Sequence, residues 1–492
     1  MEFSFKTEPF PYQHKIWEET KDKHAWALFM EQGTGKTKVT LDTVAWQYHK
    51  KQVHNLLVLA PSGVHRNWVT DEIPKHVPEW IPWQAVSYQT SKAKNAKQRY
   101  ALEELMGKKA GLSVLAMSYD AFMTKEGKAS AWEFMKKGQL MYVLDEATRI
   151  KNPKAQRTKA VMKSGEYTDR KRILTGTPVA NGPFDIWAPV NFLSQAFWAK
   201  ERFASFYVFK HYFGDIVKKR ANMGHEYEFV KGYKNLNVLH DLLSAISTRV
   251  TKKDVLKDLP PKLYSTRYFE MSPEQAKIYQ QIEEEYAVQL GDDVLTMELA
   301  IVRMLRLQQV TCGYLPRPEA EINQEPYITL PGKNERLLAL QDLIEEVSGQ
   351  GIIWARFTHD IDMIMDMLND PKLGLGGAVR YDGTQHEEER SRALEKFRKG
   401  EVRWFVSNTA VGGEGLTLTE ATTVIYYNNT FKFSDRLQSE DRAHRIGQQH
   451  PVMYYDIAAV GTVDEDIIDS LMKKDEIANI ITGDEIRPWI RS

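Results

Sequence analysis

Two short stretches of this chain carry side chains that could work on a phosphate. The first is Met30-Glu31-Gln32-Gly33-Thr34-Gly35-Lys36-Thr37. Its Gly33, Thr34, Gly35, Lys36 and Thr37 spell the end of a phosphate loop. Small glycines let backbone N–H groups close around phosphate oxygens at a helix N-terminus, where the dipole favours anions. Lys36 would neutralise the β- and γ-phosphates, and the Thr37 hydroxyl would hold Mg2+. Met30 stands where the loop's usual first glycine would be. The second stretch is VLDEAT, residues 143–148. Asp145 would hold Mg2+, directly or through water, and Glu146 would orient or deprotonate an attacking water. Taken singly, each is weak, because Gly-Lys-Thr triplets arise by chance and acids often close a strand in a solvated turn. Together, each at a strand end and about one hundred residues apart, they are what Mg-nucleotide hydrolysis needs. LTGTP at 174–178 adds a further strand-end hydroxyl cluster.

Arginines complete the chemistry. EDRAHRIGQ, 440–448, places Arg442 and Arg445 three residues apart. That is close to one helical turn, so both guanidinium groups would leave the same helix face. Read alone, such a run is a solvated helix face. Read with the phosphate loop, it is a fork for phosphate oxygens, which guanidinium matches better than other side chains. An arginine aimed at a γ-phosphoryl is worth roughly 10³–10⁵ in rate. If it comes from a second domain, closure and chemistry become one event. Upstream of the loop, PYQHKIW at 11–17 offers Gln13 for an adenine edge. Tyr12 or Trp17 could stack there, or be a core or surface aromatic.

These residues need strands to carry them. Short apolar runs lie at 24–30, 55–61, 112–118, 139–146 and 172–178, with helix-like patterns between them. That alternation reads as a parallel sheet covered on both faces. From about 190 to 335 the sequence reads as helical. Ser272 followed by Glu274 and Gln275 reads as a helix start. Pro260 and Pro261 break any helix before them and mark a domain boundary. Strand-like runs resume at 351–357, 377–383, 402–408, 422–428 and 452–459. The expected fold class is therefore α/β, with two tandem parallel-sheet units and a helical region between them.

Composition sets the frame. At 492 residues the chain is too long for one core. Hydrophobic residues make up 42% and charged residues 27%, as in ordinary globular proteins. Lys plus Arg and Asp plus Glu both number 66, which argues against coating nucleic acid by bulk charge but leaves room for a basic groove. Cys312 is the one cysteine, so no intrachain disulfide forms, as suits a reducing cytosol. The N-terminus lacks the pattern of a signal peptide, and no run of 18 apolar residues would span a membrane. The expected location is the cytoplasm.

In their order along the chain, these blocks resemble the Swi/Snf-type ATP-dependent DNA translocases of helicase superfamily two, from Gln13 to about residue 474. MEQGTGKT resembles that family's DEMGLGKT. LLVLAPSGVHRNWVTDE (56–72) resembles its second block, DEATRIKN (145–152) is similar to DEAHRIKN, and LTGTPVANG (174–182) looks like LTGTPIQN. TRVTKKDVLKDLPPK (248–262) looks like the hinge that introduces the second lobe. YDGTQHEEERSRALEKF (381–397), NTAVGGEGLTLTEATTVI (408–425) and LQSEDRAHRIGQ (437–448) resemble the second lobe's three blocks. GTVDEDIIDSLMKK (461–474) resembles the closing helix that braces the lobes. The spellings GGEGLTLT and SEDRAHRIGQ look most like an annealing-helicase-like branch. Thr148 replaces the family's His, and Gln32 departs from its loop spelling; both bear on coupling rather than on a catalytic group.

The resemblance implies two RecA-like lobes with helical insertions. Lobe 1 would span 1–190 with a helical protrusion at 191–258. A hinge and insertion at 259–335 would lead into lobe 2 at 336–460, followed by a bracing helix and tail at 461–492. It implies ATP and Mg2+ as cofactors. Gln13 would contact adenine, Lys36 and Thr37 phosphate and Mg2+, and Asp145 and Glu146 metal and water. Gly415, Arg442 and Arg445 would complete the nucleotide site, supported by Gln438 and Asp441. One strand of double-stranded DNA would run past Ser62, Arg66, Asn67 and Trp68, and past Arg356, Asn408 and Thr409. Such backbone contacts carry no sequence information, and each of these residues could instead be a helix cap or core partner. The basic residues of 248–253 could line a groove or simply be solvated. The activity expected is duplex translocation by a monomer, recruited by protein partners, in a bacterial, archaeal or viral source. Fork unwinding or annealing, and service as the motor of a larger DNA-processing complex, are the alternatives.

Overall fold

The structure is a computed structural model that describes residues 3–62, 64–93, 95–107, 110–220, 226–256, 259–288, 297–317, 325–412 and 416–484. The chain divides into two compact units. The first comprises Met1–Asp215, Gly232–Lys257 and Glu476–Glu485, and the second comprises Ile216–Lys231, Asp258–Asp475 and Ile486–Ser492. No helix among the described residues is long and apolar enough to cross a membrane.

The first unit is built on β1 (Ala25–Met30), β2 (Asn55–Ala60), β3 (Trp83–Tyr88), β4 (Leu112–Ser118), β5 (Leu140–Asp145) and β6 (Lys171–Leu174). Next along the chain come a two-stranded ribbon, β7 (Gly214–Arg220) and β8 (Glu226–Tyr233), whose residues 216–231 fall in the second unit, and then β9 (Ser247–Val250), back in the first. The main sheet runs β3-β4-β2-β5-β6-β1-β9, with every pair parallel. Every residue of β2, β4 and β5 is buried, because helices cover both faces of a parallel sheet. Arg172 on β6 is buried and turns its guanidinium onto main chain. It donates to the carbonyls of Thr20, Lys23, His24 and Lys171. One cation thus anchors the end of the helix Pro11–Thr20 and the turn after it to the sheet, and burial lowers its pKa to about 9.

The second unit opens with β10 (Lys262–Phe269), carries a small ribbon of β11 (Tyr314–Pro316) and β12 (Tyr327–Thr329), and continues through β13 (Gln350–Trp354), β14 (Ala378–Tyr381), β15 (Trp404–Ser407), β16 (Ala421–Tyr426) and β17 (Val452–Ala459). Its sheet, β10-β17-β16-β13-β15-β14, is also wholly parallel. Alternate residues feed two separate cores, as the period of two requires. Ile353, Val406, Ile425 and Tyr427 enter one, while Ile352, Phe405, Val424 and Tyr426 enter the other. Ser272 accepts from Gln275 N at 3.2 Å, starting the helix Pro273–Val288 as its sequence requires.

All ten strands expected from apolar runs are present within a few residues. The stretch 190–335 is not wholly helical, however: it carries β7 to β12. Three sheet strands escaped the pattern, β3, β9 and β10. Each lies at a sheet edge, where one side meets no neighbour and polar residues interrupt the run.

A buried ionic cluster fixes the helix Phe433–Ala443 to the second sheet. Arg436 Nε meets Glu440 Oε1 at 2.8 Å, and its Nη2 meets Asp456 Oδ2 at 3.1 Å. Lys262 Nζ and Tyr264 OH reach Glu440 Oε2 at 3.0 and 2.9 Å. Removing one member leaves charges buried without their partner. Arg436→Ala should therefore destabilise this unit by about 3–5 kcal/mol, read as faster hydrogen exchange in β16 and β17 than in the parent chain.

Candidate nucleotide-binding site

Three neighbouring strands bring the phosphate chemistry to one edge. Leu174 on β6 is registered with Leu28 of β1 on one side and with Asp145 of β5 on the other. The strands are parallel, so the loop after β1, the acids at the end of β5 and Thr175–Gly176 after β6 all leave the carboxyl edge, where such sheets bind ligands. A Cβ on Gly176 would stand 3.3 Å from Gln32 N and 3.4 Å from Met30 O. LTGTP therefore packs directly against the phosphate loop.

The helix Lys36–His49 begins at the loop's end, with Gly35 as its N-cap at φ 88°. Its first turn sets backbone N–H groups and the positive end of the dipole beside the loop. Lys36 Nζ donates to Met30 O at 2.8 Å, and Thr34 Oγ1 donates to Glu31 O at 2.7 Å. Thr37 stands in the first turn beside Lys36. Gln13 is buried with its amide already used: Nε2 donates to Thr34 O at 3.2 Å, and Oε1 accepts from Phe10 N at 3.0 Å. Tyr12 OH donates to the same Thr34 carbonyl at 2.9 Å. Gln13 and Tyr12 thus brace the loop. The exposed ring beside them is Phe10, parallel to Tyr12 with centroids 6.0 Å apart, a surface that sequence reading missed. Trp17 is a core residue, stacked on Phe3.

Asp145 is buried, and burial first, then the charge of Glu146, pushes its carboxyl up to about 6. Trp68 Nε1 donates to its Oδ2 at 2.9 Å, Glu146 N donates to its Oδ1 at 3.0 Å, and Lys36 lies near enough to pull the pKa back down. Trp68 is only 1% exposed. The expectation that it contacts DNA is corrected: the buried indole is turned inward and supports the Asp145 carboxylate. Tyr119 OH donates to Asp145 O at 2.9 Å, a second support that sequence spacing did not signal. Glu146 holds left-handed backbone angles, φ 50° and ψ 59°, and strain of this kind gathers at working sites. Its Oε2 accepts from Thr175 Oγ1 at 3.2 Å. The donor set suits Mg2+, which takes one or two protein oxygens and completes its shell with phosphate and water. Asp145 and Thr37 are the residues that would hold it.

The basic run 248–253 is not strung along a groove. Lys252 is buried and its N–H donates to Glu31 Oε2 at 2.9 Å, while Arg249 turns inward onto the loop's root. Ser62, Arg66 and Asn67 are exposed just beyond the carboxyl end of β2.

In the second unit the helix ends at Ala443, so Arg445 lies beyond it, and the single-face expectation for the two arginines is corrected. They converge all the same. Arg442 Nη1 donates to Leu416 O at 3.0 Å, and Arg445 Nη1 reaches that carbonyl at 3.4 Å and Thr417 Oγ1 at 2.9 Å. Gln438 O accepts from Arg442 Nε at 2.8 Å, and Asp441 pairs with Lys262 at 3.4 Å. Gly415 lies outside the described residues. Arg356 and Thr409 line one small pocket with Asn428, Asn429 and Thr430. Arg356 Nη1 donates to Gln308 Oε1 at 2.6 Å. Asn408 Oδ1 caps the short helix Thr409–Gly412 through Val411 N at 2.9 Å, the structural role that its type allows.

Comparison with known proteins places these units in a family. A model of the SNF2-related domain matches residues 13–313, and a model of the helicase conserved C-terminal domain matches residues 333–447. The chain belongs to the SNF2-related domain family. It is 27% identical over 465 residues to the mouse SWI/SNF-related matrix-associated actin-dependent regulator of chromatin subfamily A member 1, covering 92% of this chain and 41% of that one. It is 28% identical to the probable ATP-dependent DNA helicase CHR12 of Arabidopsis thaliana, covering 90% of this chain and 39% of that one. The chain thus spans about two fifths of the length of these relatives. Among solved structures, the SWI2/SNF2 ATPase core of Sulfolobus solfataricus in complex with dsDNA aligns with 98% of this chain and 95% of its own, at 23% identity and TM-score 0.41.

Asp145 must be ionised to hold a metal, so Mg-dependent activity should fall as pH drops through about 6. Stability has the opposite sign, since a carboxyl raised in the fold costs less once protonated. Trp68→Phe removes a bond that favours the ionised form. The acid limb of its kcat/KM profile should move up by a few tenths to about one pH unit.

Proposed function

We propose that this chain is an ATP-driven translocase on double-stranded DNA. The observation that carries the reading is the shared edge of β5, β6 and β1, where the Lys36 loop, the Asp145–Glu146 pair and Thr175–Gly176 adjoin. Lys36 and the first helical turn bind the β- and γ-phosphates. Thr37 and Asp145 offer oxygens to Mg2+, which when bound offsets charge on the phosphate oxygens. Glu146, held by Thr175, orients the attacking water and accepts its proton. Arg442 and Arg445, whose guanidinium groups converge within the second unit, are that unit's candidate cations for a phosphoryl group.

The exposed Ser62, Arg66 and Asn67, and the pocket holding Arg356 and Thr409, are the candidates for DNA phosphates. The relatives' names, one a chromatin regulator and one a DNA helicase, support a DNA substrate. The spellings around 412–419 and 439–448 favour an annealing-helicase-like branch within this reading.

The test is steady-state ATP hydrolysis with no nucleic acid, with single strands, with duplex and with forked DNA. Duplex should stimulate strongly, and Glu146→Gln should lose about 10³-fold or more in kcat while still binding ATP. Stimulation by forks or single strands alone would replace translocation with fork remodelling.

A further inference from the structure

Arg249 has more partners around the phosphate loop than any role in sequence suggests. Its Nη1 donates to Phe29 O at 3.1 Å and to Gly176 O at 3.0 Å. It therefore ties the last turn of β1, one residue before Met30, to the LTGTP loop. Its Nη2 lies 3.7 Å from Glu31 Oε1 within the phosphate loop itself. The rest of the fork goes to a residue from the far end of the chain. Nε donates to Asp484 Oδ1 at 3.0 Å, and Nη2 donates to Oδ2 at 2.6 Å. A planar guanidinium has no freedom once one edge is gripped in two places, so the carboxylate sets the direction in which Nη1 points.

The segment that delivers Asp484 is itself built to do so. The helix Val463–Thr482 stops at Gly483, φ 74°, and Asp484 N donates back to Asn479 O at 3.1 Å. That is the six-to-one bond of a left-handed helix stop, which turns the chain sharply. A Cβ on Gly483 would come within 2.6 Å of His240. The His240 ring bonds Ile481 O through Nδ1 at 3.0 Å. Glycine is needed here both for its backbone angles and for the close approach.

We infer that Arg249 is a positioning residue for the nucleotide site, and that Asp484, through the Arg249 fork, makes the affinity of the phosphate loop depend on the docked segment 476–484. The inference rests on the nucleotide reading given above. With the carboxylate in place, the root of the loop is held before ATP arrives, and binding does not have to order it. Without it, the guanidinium is drawn toward Glu31, 3.7 Å away, and pulls on the loop instead of bracing it.

The test compares KM for ATP, kcat and direct Mg-ATP binding for the full chain, Asp484→Asn, Asp484→Glu and Arg249→Lys. Asp484→Asn and Arg249→Lys should raise KM by about three- to tenfold with kcat within about twofold, the pattern of lost uniform binding. Asp484→Glu should restore most of the affinity, and the thermal transition should stay unchanged in Asp484→Asn. Normal Mg-ATP binding by the parent chain with KM unchanged in both Asp484→Asn and Arg249→Lys overturns the inference alone. Failure of the parent chain to bind Mg-ATP overturns the nucleotide reading, and the inference with it.

Discussion

The first unit turns on the register of β1, β6 and β5. Parallel strands must all finish at the same edge, so whatever follows them is concentrated there. Pairing of Leu174 with both Leu28 and Asp145 places a cationic loop, two acids and a hydroxyl turn side by side. A slip of one residue would turn Asp145 toward the opposite face of the sheet. The fully buried β2 and β5, with no tolerance for a polar face, hold that register.

Concentrating charge at a buried edge has a cost, and the surrounding groups offset it. Asp145 is disfavoured as an anion by burial and by Glu146, and it keeps its place through Trp68, the Glu146 N–H and Lys36. Arginines serve the sheet edges in a different way. Arg172 binds main-chain carbonyls, and Arg336 binds the carbonyls of Thr311, Ile457 and Tyr427 and the carboxylate of Asp464. A guanidinium has five donors and no acceptor, so one side chain satisfies several segment ends together. Arg249 does the same at the loop's root with an acid partner added.

The second unit shows a related economy around the helix Phe433–Ala443. Arg436, Glu440, Asp456 and Lys262 lock its inner face to the sheet, and Arg442 follows in the same helix. The arginine pair is thus presented by a rigid element, even though Arg445 has already left the helix.

Much of the molecule was legible in the sequence alone. Central strands advertise themselves because both faces must be apolar. Gly-Lys-Thr, Asp-Glu and Leu-Thr-Gly-Thr-Pro could be placed at strand ends because the apolar runs stop just before them. Edge strands β3, β9 and β10 could not be seen, since half-buried segments carry no continuous signal. Trp68 could not be told from a surface aromatic, because what separates the two is a hydrogen bond to a residue 77 positions away. The same holds for Arg249, whose partners Phe29, Gly176 and Asp484 are close only after two sheet edges and a helix stop have formed. Residue type and spacing determined which chemistry is present. Contacts between segments distant in sequence, which spacing does not encode, decided which side chains perform it and which hold the others in place.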